Sequence, residues 1–143
     1  SLQSIYNDIN PMLKVREKNK LLAHSDSYPK YNLHLDYQFD TFKDEFQKLR
    51  ETYCLNVNYP QTTIMLFDTN LIEENMPDKL LELTYKYPIS ITNDQGILAL
   101  YFTCINPCFK QIPLKNDTTY FYDYFLRDYG QPYIMVKNTT FGH

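Results

Sequence analysis

Two groups of polar side chains stand directly before apolar segments of this chain. Gln61 and Thr62 precede one such segment, and Asn93, Asp94 and Gln95 precede another. Polar side chains at the ends of buried elements are the usual arrangement of a site in an α/β protein, because a rigid scaffold then holds the chemistry in its loops. These residues form the candidate site.

Asp94 also has a purely structural interpretation. Aspartate is favoured at the N-cap of a helix, where its carboxylate accepts hydrogen bonds from the first-turn amides. The apolar residues that follow Asp94 have helical spacing, as a capped helix requires. Without further information the cap is the simpler explanation, and the functional role stays open beside it.

The residue pattern favours neither a nucleophilic hydrolase nor a P-loop enzyme. No serine or cysteine is recognisably arranged with a histidine base. Gly96, Gly130 and Gly142 are isolated in the sequence, so they form no glycine-rich loop for a phosphate. The absence of these motifs does not exclude a non-catalytic binding module.

The composition predicts one globular domain over residues 1–143. A chain of 143 residues can bury about two-thirds of the surface that it exposes when unfolded. The formal charge of −3, with acids and bases mixed along the chain, argues against a nucleic-acid-binding module. Neither a run of 18 apolar residues nor a signal peptide is visible, so we expect no membrane span and a cytoplasmic location. Because residue 1 is Ser rather than Met, we expect the chain to be a fragment or a processed product.

The three cysteines, Cys54, Cys104 and Cys108, do not make a disulfide framework in a chain of this size. Cys104 and Cys108 have helical i, i+4 spacing, but Pro107 lies between them. No histidine or further cysteine completes a metal-binding set around them. We therefore predict buried free thiols.

Helix and strand signals alternate along the chain, which predicts an α/β layer fold with a mixed, mostly parallel sheet. The run 62–67 is apolar on both faces and is predicted to be a central strand. Residues 25–40 show little periodicity and are predicted to cross the surface as a loop. The other predicted elements are helices at 7–18, 41–51, 75–85 and 94–103, and strands at 21–23, 109–114 and 133–136.

Two of these helices carry apolar patterns that predict which face is buried. Phe42, Phe46 and Leu49 recur at i, i+4 and i+7 and mark the helix at 41–51. The helix at 75–85 is expected to bury a stripe formed by its leucines, Leu80, Leu81 and Leu83.

The order of the segments resembles the C-terminal half of glycogenin-type glycosyltransferases of the GT-A class. In that family an "FNSGVMLF"-like strand is followed, after one helix, by a "DQ" pair that opens the next helix. Here residues 59–68 read YPQTTIMLFD, and Asp94 and Gln95 supply the pair. Similar segments follow the family's order at 4–13, 22–26, 111–116 and 133–137. The tyrosine-rich character is most similar to glycosyltransferase-like proteins of giant viruses.

The resemblance implies a Rossmann-like nucleotide-diphospho-sugar transferase fold, of which this chain is the C-terminal portion. It implies transfer of a sugar from a nucleotide-diphosphate sugar, expected to be a UDP-sugar, to a glycan or protein acceptor that the sequence does not identify. By position, Asp94 and Gln95 become the expected catalytic residues. Asn93, Gln61 and Thr62 become the expected substrate-binding residues.

The resemblance also implies a divalent metal, Mn²⁺ or Mg²⁺, but assigns few of its ligands to this chain. The family's metal-binding "DxD" motif is absent, as expected if it precedes Ser1, so we expect an upstream segment of the same protein as a partner. Lys137 stands where the family has a metal-binding histidine, and it is expected to bind the diphosphate as a cation. His143 and His24 remain candidate metal ligands, and the simpler expectation for each is a lone surface histidine.

Two functions of different classes remain open at this point. One is a glycosyltransferase, whose 143-residue portion is expected to be weakly active or inactive without the "DxD" motif. A viral origin would place it in the cytoplasm of the infected cell or in the virion. The other is a non-catalytic glycosyltransferase-like binding or interaction domain that lacks the metal site.

Overall fold

The fold is mixed α/β, as the sequence predicts. The computed structural model describes residues 2–5, 8–25, 33–115, 121–123 and 135–137, with the strands at 2–5, 122–123 and 135–137 described by their backbone. The chain divides into two compact units, one formed by Ser1–Arg16 with Ile112–His143 and the other by Glu17–Gln111. The strands are β1 Leu2–Ile5, β2 Leu21–Ala23, β3 Phe109–Gln111, β4 Tyr122–Asp123 and β5 Met135–Lys137, and the helices are α1 Asn10–Leu13, α2 Asp44–Thr52, α3 Met76–Lys86 and α4 Asp94–Leu100.

The first unit contains a three-stranded sheet in the order β1-β5-β4. Strand β5 runs antiparallel to β1 and parallel to β4. Helix α1 has Pro11 in its first turn, where the missing N–H costs no hydrogen bond. It is shorter than the helix predicted at 7–18, because the chain leaves α1 through single turns in which Val15 and Arg16 donate to carbonyls three residues back.

The second unit contains a parallel pair, β2 and β3, in which Leu21 faces Phe109 and Ala23 faces Gln111. All three residues of β2 are fully buried, in agreement with the prediction of a buried strand at 21–23. The other edge of β2 makes an antiparallel bridge to Leu66, with N···O distances of 2.9 and 2.8 Å to and from Leu22.

The prediction of a central strand at 62–67 is wrong. Only Leu66 in this range pairs with a strand, and the residues before it form turns. The amides of Thr62 and Thr63 donate to the side-chain oxygens of Gln95 and Gln61, at 3.1 and 2.8 Å. Because the nearby Gln61 side chain and the distant Gln95 side chain satisfy these backbone donors, the segment does not need a neighbouring strand.

The prediction of a surface loop at 25–40 is wrong for its second half. Residues Leu35–Gln38 form a 3₁₀ helix, and Leu35, Gln38 and Phe39 are buried. The amide of Leu35 donates to Val57 at 3.0 Å, and the amide of Asp40 donates to Ile89 at 2.8 Å. These long-range bonds hold the segment inside the unit, and no periodicity in the sequence signals them.

The two amphipathic helices, α2 and α3, begin and end within a few residues of their predicted bounds. Phe42, however, lies before α2 and is 96% exposed, because its amide is held in a local turn by Asp40 Oδ1 at 3.0 Å. Leu80 and Leu83 of α3 pack on the core, whereas Leu81 is 52% exposed. Adjacent positions of a helix point in different directions, so these leucines cannot all face one side.

Among the described residues of the second unit, two hydrophobic clusters form much of the core. The larger joins the 3₁₀ helix, α2 and α4, and the smaller joins β2, the start of α3 and the helix that continues α4. Helix α4 begins at Asp94 as predicted and continues as a π-helix over Tyr101–Ile105. The buried members of the larger cluster are Leu35, Phe39, Leu49, Leu55, Tyr59, Tyr87, Ile89, Ile97, Ala99 and Leu100, and those of the smaller are Leu21, Ala23, Leu71, Met76, Tyr101, Phe102 and Cys108.

Candidate functional site

Gln95 joins the two polar segments that the sequence singles out. Its Oε1 accepts a hydrogen bond from the backbone N–H of Thr62 at 3.1 Å and lies 3.4 Å from Thr62 Oγ1. Its Nε2 donates to Oε1 of Gln38 at 3.0 Å. Both ends of the amide therefore have protein partners, and they fix the start of α4 to the turn that contains Thr62.

Gln38 is the centre of a buried hydrogen-bond network. Its Oε1 accepts from Thr92 Oγ1 at 2.6 Å as well as from Gln95, and its Nε2 donates to the hydroxyl of Tyr59 at 3.0 Å. Its main-chain carbonyl accepts from the amide of Ile91 at 3.0 Å. Because a buried amide that loses its partners costs about 1–3 kcal/mol, this network favours one arrangement of the surrounding loops.

Sequence reasoning missed Gln38 as a member of the site. A single glutamine in a segment without clear periodicity is usually a surface residue. The only signal of its burial is the i, i+4 spacing of the apolar residues Leu35 and Phe39 on either side of it, both of which belong to the larger cluster.

Gln61 shapes the turn in which Thr62 lies. The Gln61 side chain is only 7% exposed, and its Oε1 accepts from the backbone amide of Thr63 at 2.8 Å. Its own backbone amide donates to the carbonyl of His24 at 2.9 Å. Thr62 is half-buried beside Gln95. Substrate contacts by Gln61 and Thr62 stay a prediction.

Among the described side chains of the predicted site, those of Asn93 and Asp94 are exposed. Asn93 is the N-cap residue, with φ 55° and ψ −125°, and Asp94 is the first residue of α4. The prediction that Asp94 caps the helix is therefore wrong by one position. Asparagine tolerates a positive φ better than most residues, and its carbonyl accepts a hydrogen bond from Ser90 Oγ at 2.6 Å. The Asp94 carboxylate is left in the exposed first turn.

The remaining predicted site residues belong to the first unit of the chain. Lys137 is the last residue of β5, where its backbone is in register with Leu2 of β1. Its role at a diphosphate stays a prediction. His143, a candidate metal ligand, lies outside the residues that the structure describes.

A second polar cluster lies at the carboxyl ends of the parallel strands β2 and β3. Gln111 closes β3, and its Oε1 accepts from the backbone amide of Ser25 at 2.7 Å. This bond orients the amide so that Gln111 Nε2 lies 2.7 Å from Nδ1 of His24, to which it donates. His24 is therefore neutral, with its proton on Nε2.

His24 is 2% exposed, so the expectation of a surface histidine is wrong. Burial lowers the pKa of His24 to about 4, because the charged imidazolium would lose its hydration. The donor group of Gln111 at Nδ1 also opposes a second ring proton. The sequence does carry a signal for this cluster, since polar residues directly after parallel strands meet at one edge of a sheet.

The described residues of the candidate site fit a complete metal site poorly. A protein site for Mg²⁺ commonly uses one or two carboxylates together with the phosphate oxygens of the substrate. Among Asn93, Asp94, Gln95, Gln61 and Thr62, Asp94 alone supplies a carboxylate. Across the ranges that the structure describes, no three His, Cys, Asp or Glu side chains come close enough together to hold a metal ion.

Comparisons with other proteins do not assign a family to this chain. It matches no protein-family model, and no curated protein or solved structure is significantly similar to it. In the part of the chain that the structure describes, no helix has the length and apolar character needed to cross a membrane.

Proposed function

We propose that this chain is the C-terminal portion of a nucleotide-sugar-dependent glycosyltransferase with a GT-A type fold, acting on a UDP-sugar. The observation that carries the proposal is the contact between the two segments that resemble the family's sugar-facing motifs. Gln95 Oε1 accepts from the amide of Thr62 at 3.1 Å, so the "DQ" pair adjoins the turn at the "NSG" position.

Asp94 carries the chemistry in this proposal. Glycosyl transfer passes through an oxocarbenium-like state, which an exposed carboxylate near the anomeric carbon stabilises. The exposed amide of Asn93 and the hydroxyl of Thr62 bind sugar hydroxyls and orient the donor. A divalent metal would neutralise the diphosphate, but the described residues of this site do not supply a set of ligands for it.

Gln95 takes a different role from the one that the resemblance implies. Its amide is occupied by Thr62 on one side and Gln38 on the other, at 3.1 and 3.0 Å. A substrate hydroxyl would have to displace one of these bonds. Gln95 is therefore proposed as a positioning residue, which holds the turn of Thr62 against the helix that carries Asp94.

The same observation also favours the second candidate function, a non-catalytic binding domain. Gln61 and Gln95 both use their amides to hold the chain in place, so a domain that kept only its scaffold would retain them. Such a domain would bind a sugar nucleotide, or another partner, at the exposed residues Asn93 and Asp94 without turnover.

Amide-detected NMR titration tests the proposal with the chain as it is. We expect UDP-glucose or UDP-galactose, in the presence of Mn²⁺ or Mg²⁺, to shift the amide signals of Thr62, Asn93 and Asp94 (Mg²⁺ is the diamagnetic choice). Asp94→Asn should weaken binding, whereas Asp78→Asn, which removes an exposed carboxylate from the first turn of α3, should not. Shifts confined to residues outside the Thr62 and Asp94 segments would refute the proposed site. If the sugar nucleotide binds at these residues but no longer form of the protein transfers the sugar, the second candidate function, a non-catalytic binding domain, is favoured.

A further inference from the structure

Cys54 and Cys104 meet in the second unit although they are 50 residues apart in sequence. Sγ of Cys104 lies 3.7 Å from the backbone carbonyl oxygen of Cys54, within the range of a weak S–H···O hydrogen bond. Cys54 follows the end of α2 and is exposed, which corrects the prediction that it is buried. Cys104 lies in the π-helix and packs against the larger hydrophobic cluster.

The third cysteine is in a different environment. Cys108 is buried in the smaller cluster, and its amide donates to the carbonyl of Phe102 at 3.1 Å. The half-buried thiol of Cys104 therefore lies against the main chain of the exposed Cys54, while Cys108 serves as a separate buried thiol for comparison.

We propose that Cys54 and Cys104 form a reversible disulfide by exchange with a small-molecule disulfide such as oxidised glutathione. A disulfide needs Cα atoms about 4.4–6.8 Å apart and side chains that point toward each other. A carbonyl oxygen is two bonds from its own Cα, so the 3.7 Å contact already brings the Cys104 sulfur beside the main chain of Cys54. The disulfide requires that rotation of the exposed Cys54 side chain about χ1 carries its sulfur to that of Cys104.

The exchange balances in two steps. The thiolate of the exposed Cys54 attacks one sulfur of oxidised glutathione, and the first glutathione leaves as a thiolate that takes up a proton. The thiolate of Cys104 then attacks the Cys54 sulfur of the mixed disulfide, and the second glutathione leaves in the same way. Two protein thiols are thereby oxidised to one disulfide, and one glutathione disulfide is reduced to two thiols.

The environment of Cys104 makes the second step dependent on pH. Burial, together with the neighbouring Cys54 thiol, raises the pKa of Cys104 to about 11. Because only the thiolate attacks, the mixed disulfide on Cys54 should persist longer at pH 7 than at pH 9. This pH dependence distinguishes exchange through Cys104 from random oxidation of an exposed thiol.

The disulfide would act on the helix that carries the candidate site. It would link the segment after α2 to the π-helix Tyr101–Ile105, which continues α4 directly from Leu100. The two cysteines are 50 residues apart, so the disulfide would close a long loop and restrict the unfolded chain. We therefore expect the melting temperature to rise by roughly 5–15 °C. The inference does not depend on the proposed transferase function.

Peptide mapping under defined redox conditions tests the disulfide. The 143-residue chain is first reduced, and the reductant is removed under anaerobic conditions. Samples are then incubated in mixtures that differ in the ratio of reduced to oxidised glutathione. Each sample is then quenched in acid, alkylated with N-ethylmaleimide and digested without reduction. We expect a Cys54–Cys104 cross-linked peptide that has lost two hydrogens, an alkylated Cys108, and the rise in melting temperature.

Two variants assign the steps. Cys104→Ser should keep glutathione on Cys54 as a stable adduct, and Cys108→Ser should form the same cross-link at the same glutathione ratio as the native chain. If Cys104→Ser does not fold, Cys104→Ala tests the same step without placing a hydroxyl against the hydrophobic cluster. A glutathione adduct on the native chain that never resolves, a cross-link that contains Cys108, or a Cys54–Cys54 link between chains would overturn the proposal.

Discussion

Gln95 Nε2 donates to the buried Oε1 of Gln38 at 3.0 Å, so the second residue of the "DQ" pair points into the protein. Asp94, one position earlier on the same helix, is exposed. Consecutive residues of a helix point about 100° apart, and the pair is divided accordingly between interior and surface. The two residues therefore make different predictions, one about stability and one about chemistry.

Gln95→Ala should destabilise the second unit by about 1–3 kcal/mol. It removes a donor from Gln38 Oε1 and an acceptor from the amide of Thr62. Gln38→Ala should cost at least as much, because it also takes a partner from the hydroxyl of Tyr59. Urea unfolding followed by circular dichroism measures both variants, and the double variant should show a coupling of about 0.5–3 kcal/mol.

Gln47→Ala is the matched control for this network. Gln47 is exposed on α2, where its Nε2 donates to Glu51 Oε1 at 2.8 Å. Its loss should change the free energy of unfolding by no more than about 0.5 kcal/mol. An equal effect of Gln47→Ala and Gln95→Ala would show that the buried network contributes nothing special.

The contrast between these glutamines explains what the sequence could predict. Helices α3 and α4 and strand β2 were predictable from local signals, namely Pro77 in the first turn of α3, Asp94 before a helical apolar pattern, and the short apolar run of β2. The burial of Gln38 was not, since it depends on bonds to Thr92 and Gln95 more than 50 residues away. The prediction of a strand at 62–67 failed for the same reason, because the side chain of the distant Gln95 accepts the hydrogen bond of the Thr62 amide.

The sequence singles out Thr62 and Gln95 of the candidate site but misses Gln38, and it does not give the orientation of their side chains. The sequence identifies Thr62 and Gln95 as neighbours only through a resemblance, and their hydrogen bond at 3.1 Å is a tertiary contact. Which member of the "DQ" pair faces solvent depends on the path of the chain through Asn93, whose φ of 55° no local pattern specifies.

Gly96→Ala should destabilise the protein although alanine favours helices. A Cβ on Gly96 would lie 3.1 Å from Ser90 Cβ and 3.2 Å from the carbonyl oxygen of Gln38, and closer still to Ser90 Oγ. Relieving such overpacking costs about 1–3 kcal/mol, against a gain in helix propensity of about 1 kcal/mol. The Gln38 carbonyl cannot retreat freely, because it accepts from Ile91 at 3.0 Å. We expect a lower melting temperature.

Ser90→Ala separates the sources of this strain. It removes the closest atom, Ser90 Oγ, but keeps Ser90 Cβ and the Gln38 carbonyl in place. Gly96→Ala should therefore lower the stability of a Ser90→Ala variant by less than it lowers the stability of the native chain. A Gly96→Ala variant as stable as the native chain would mean that α4 packs less closely than described.

His24 should make the protein less stable as the pH falls from 6.5 to 4. The pKa of His24 is about 4 in the folded protein, because burial opposes its charge, and 6.5 when unfolded. Above pH 6.5 His24 is neutral in both the folded and the unfolded protein, so it does not make the stability depend on pH. Between the two values only the unfolded state binds the proton, so stability declines with falling pH by roughly 2–4 kcal/mol in total. Urea unfolding across this range measures the slope.

His24→Asn tests the assignment of this slope. The Asn Oδ1 can occupy the place of Nδ1 and accept from Gln111 Nε2, but it does not titrate. The variant should lose the decline above pH 4.5, whereas His34→Asn, at a half-buried histidine of the same unit, should keep it. An unchanged slope in His24→Asn would assign the acid sensitivity to other groups.

Asp94→Asn should reduce sugar transfer far more than it reduces stability. Asn keeps the size and hydrogen-bonding shape of Asp94 but removes the negative charge that the proposal places beside a cationic transition state. Loss of such a group lowers kcat by about 10²–10³ in other enzymes. The carboxylate's interaction with the exposed first turn of α4 is worth only about 0.3–1 kcal/mol. We would measure turnover of a UDP-sugar on the shortest form of the protein that shows it, beside Asp78→Asn in the first turn of α3, which loses the same helix interaction. If both variants turn over equally, Asp94 serves the helix alone, and the proposed transferase loses its catalytic carboxylate.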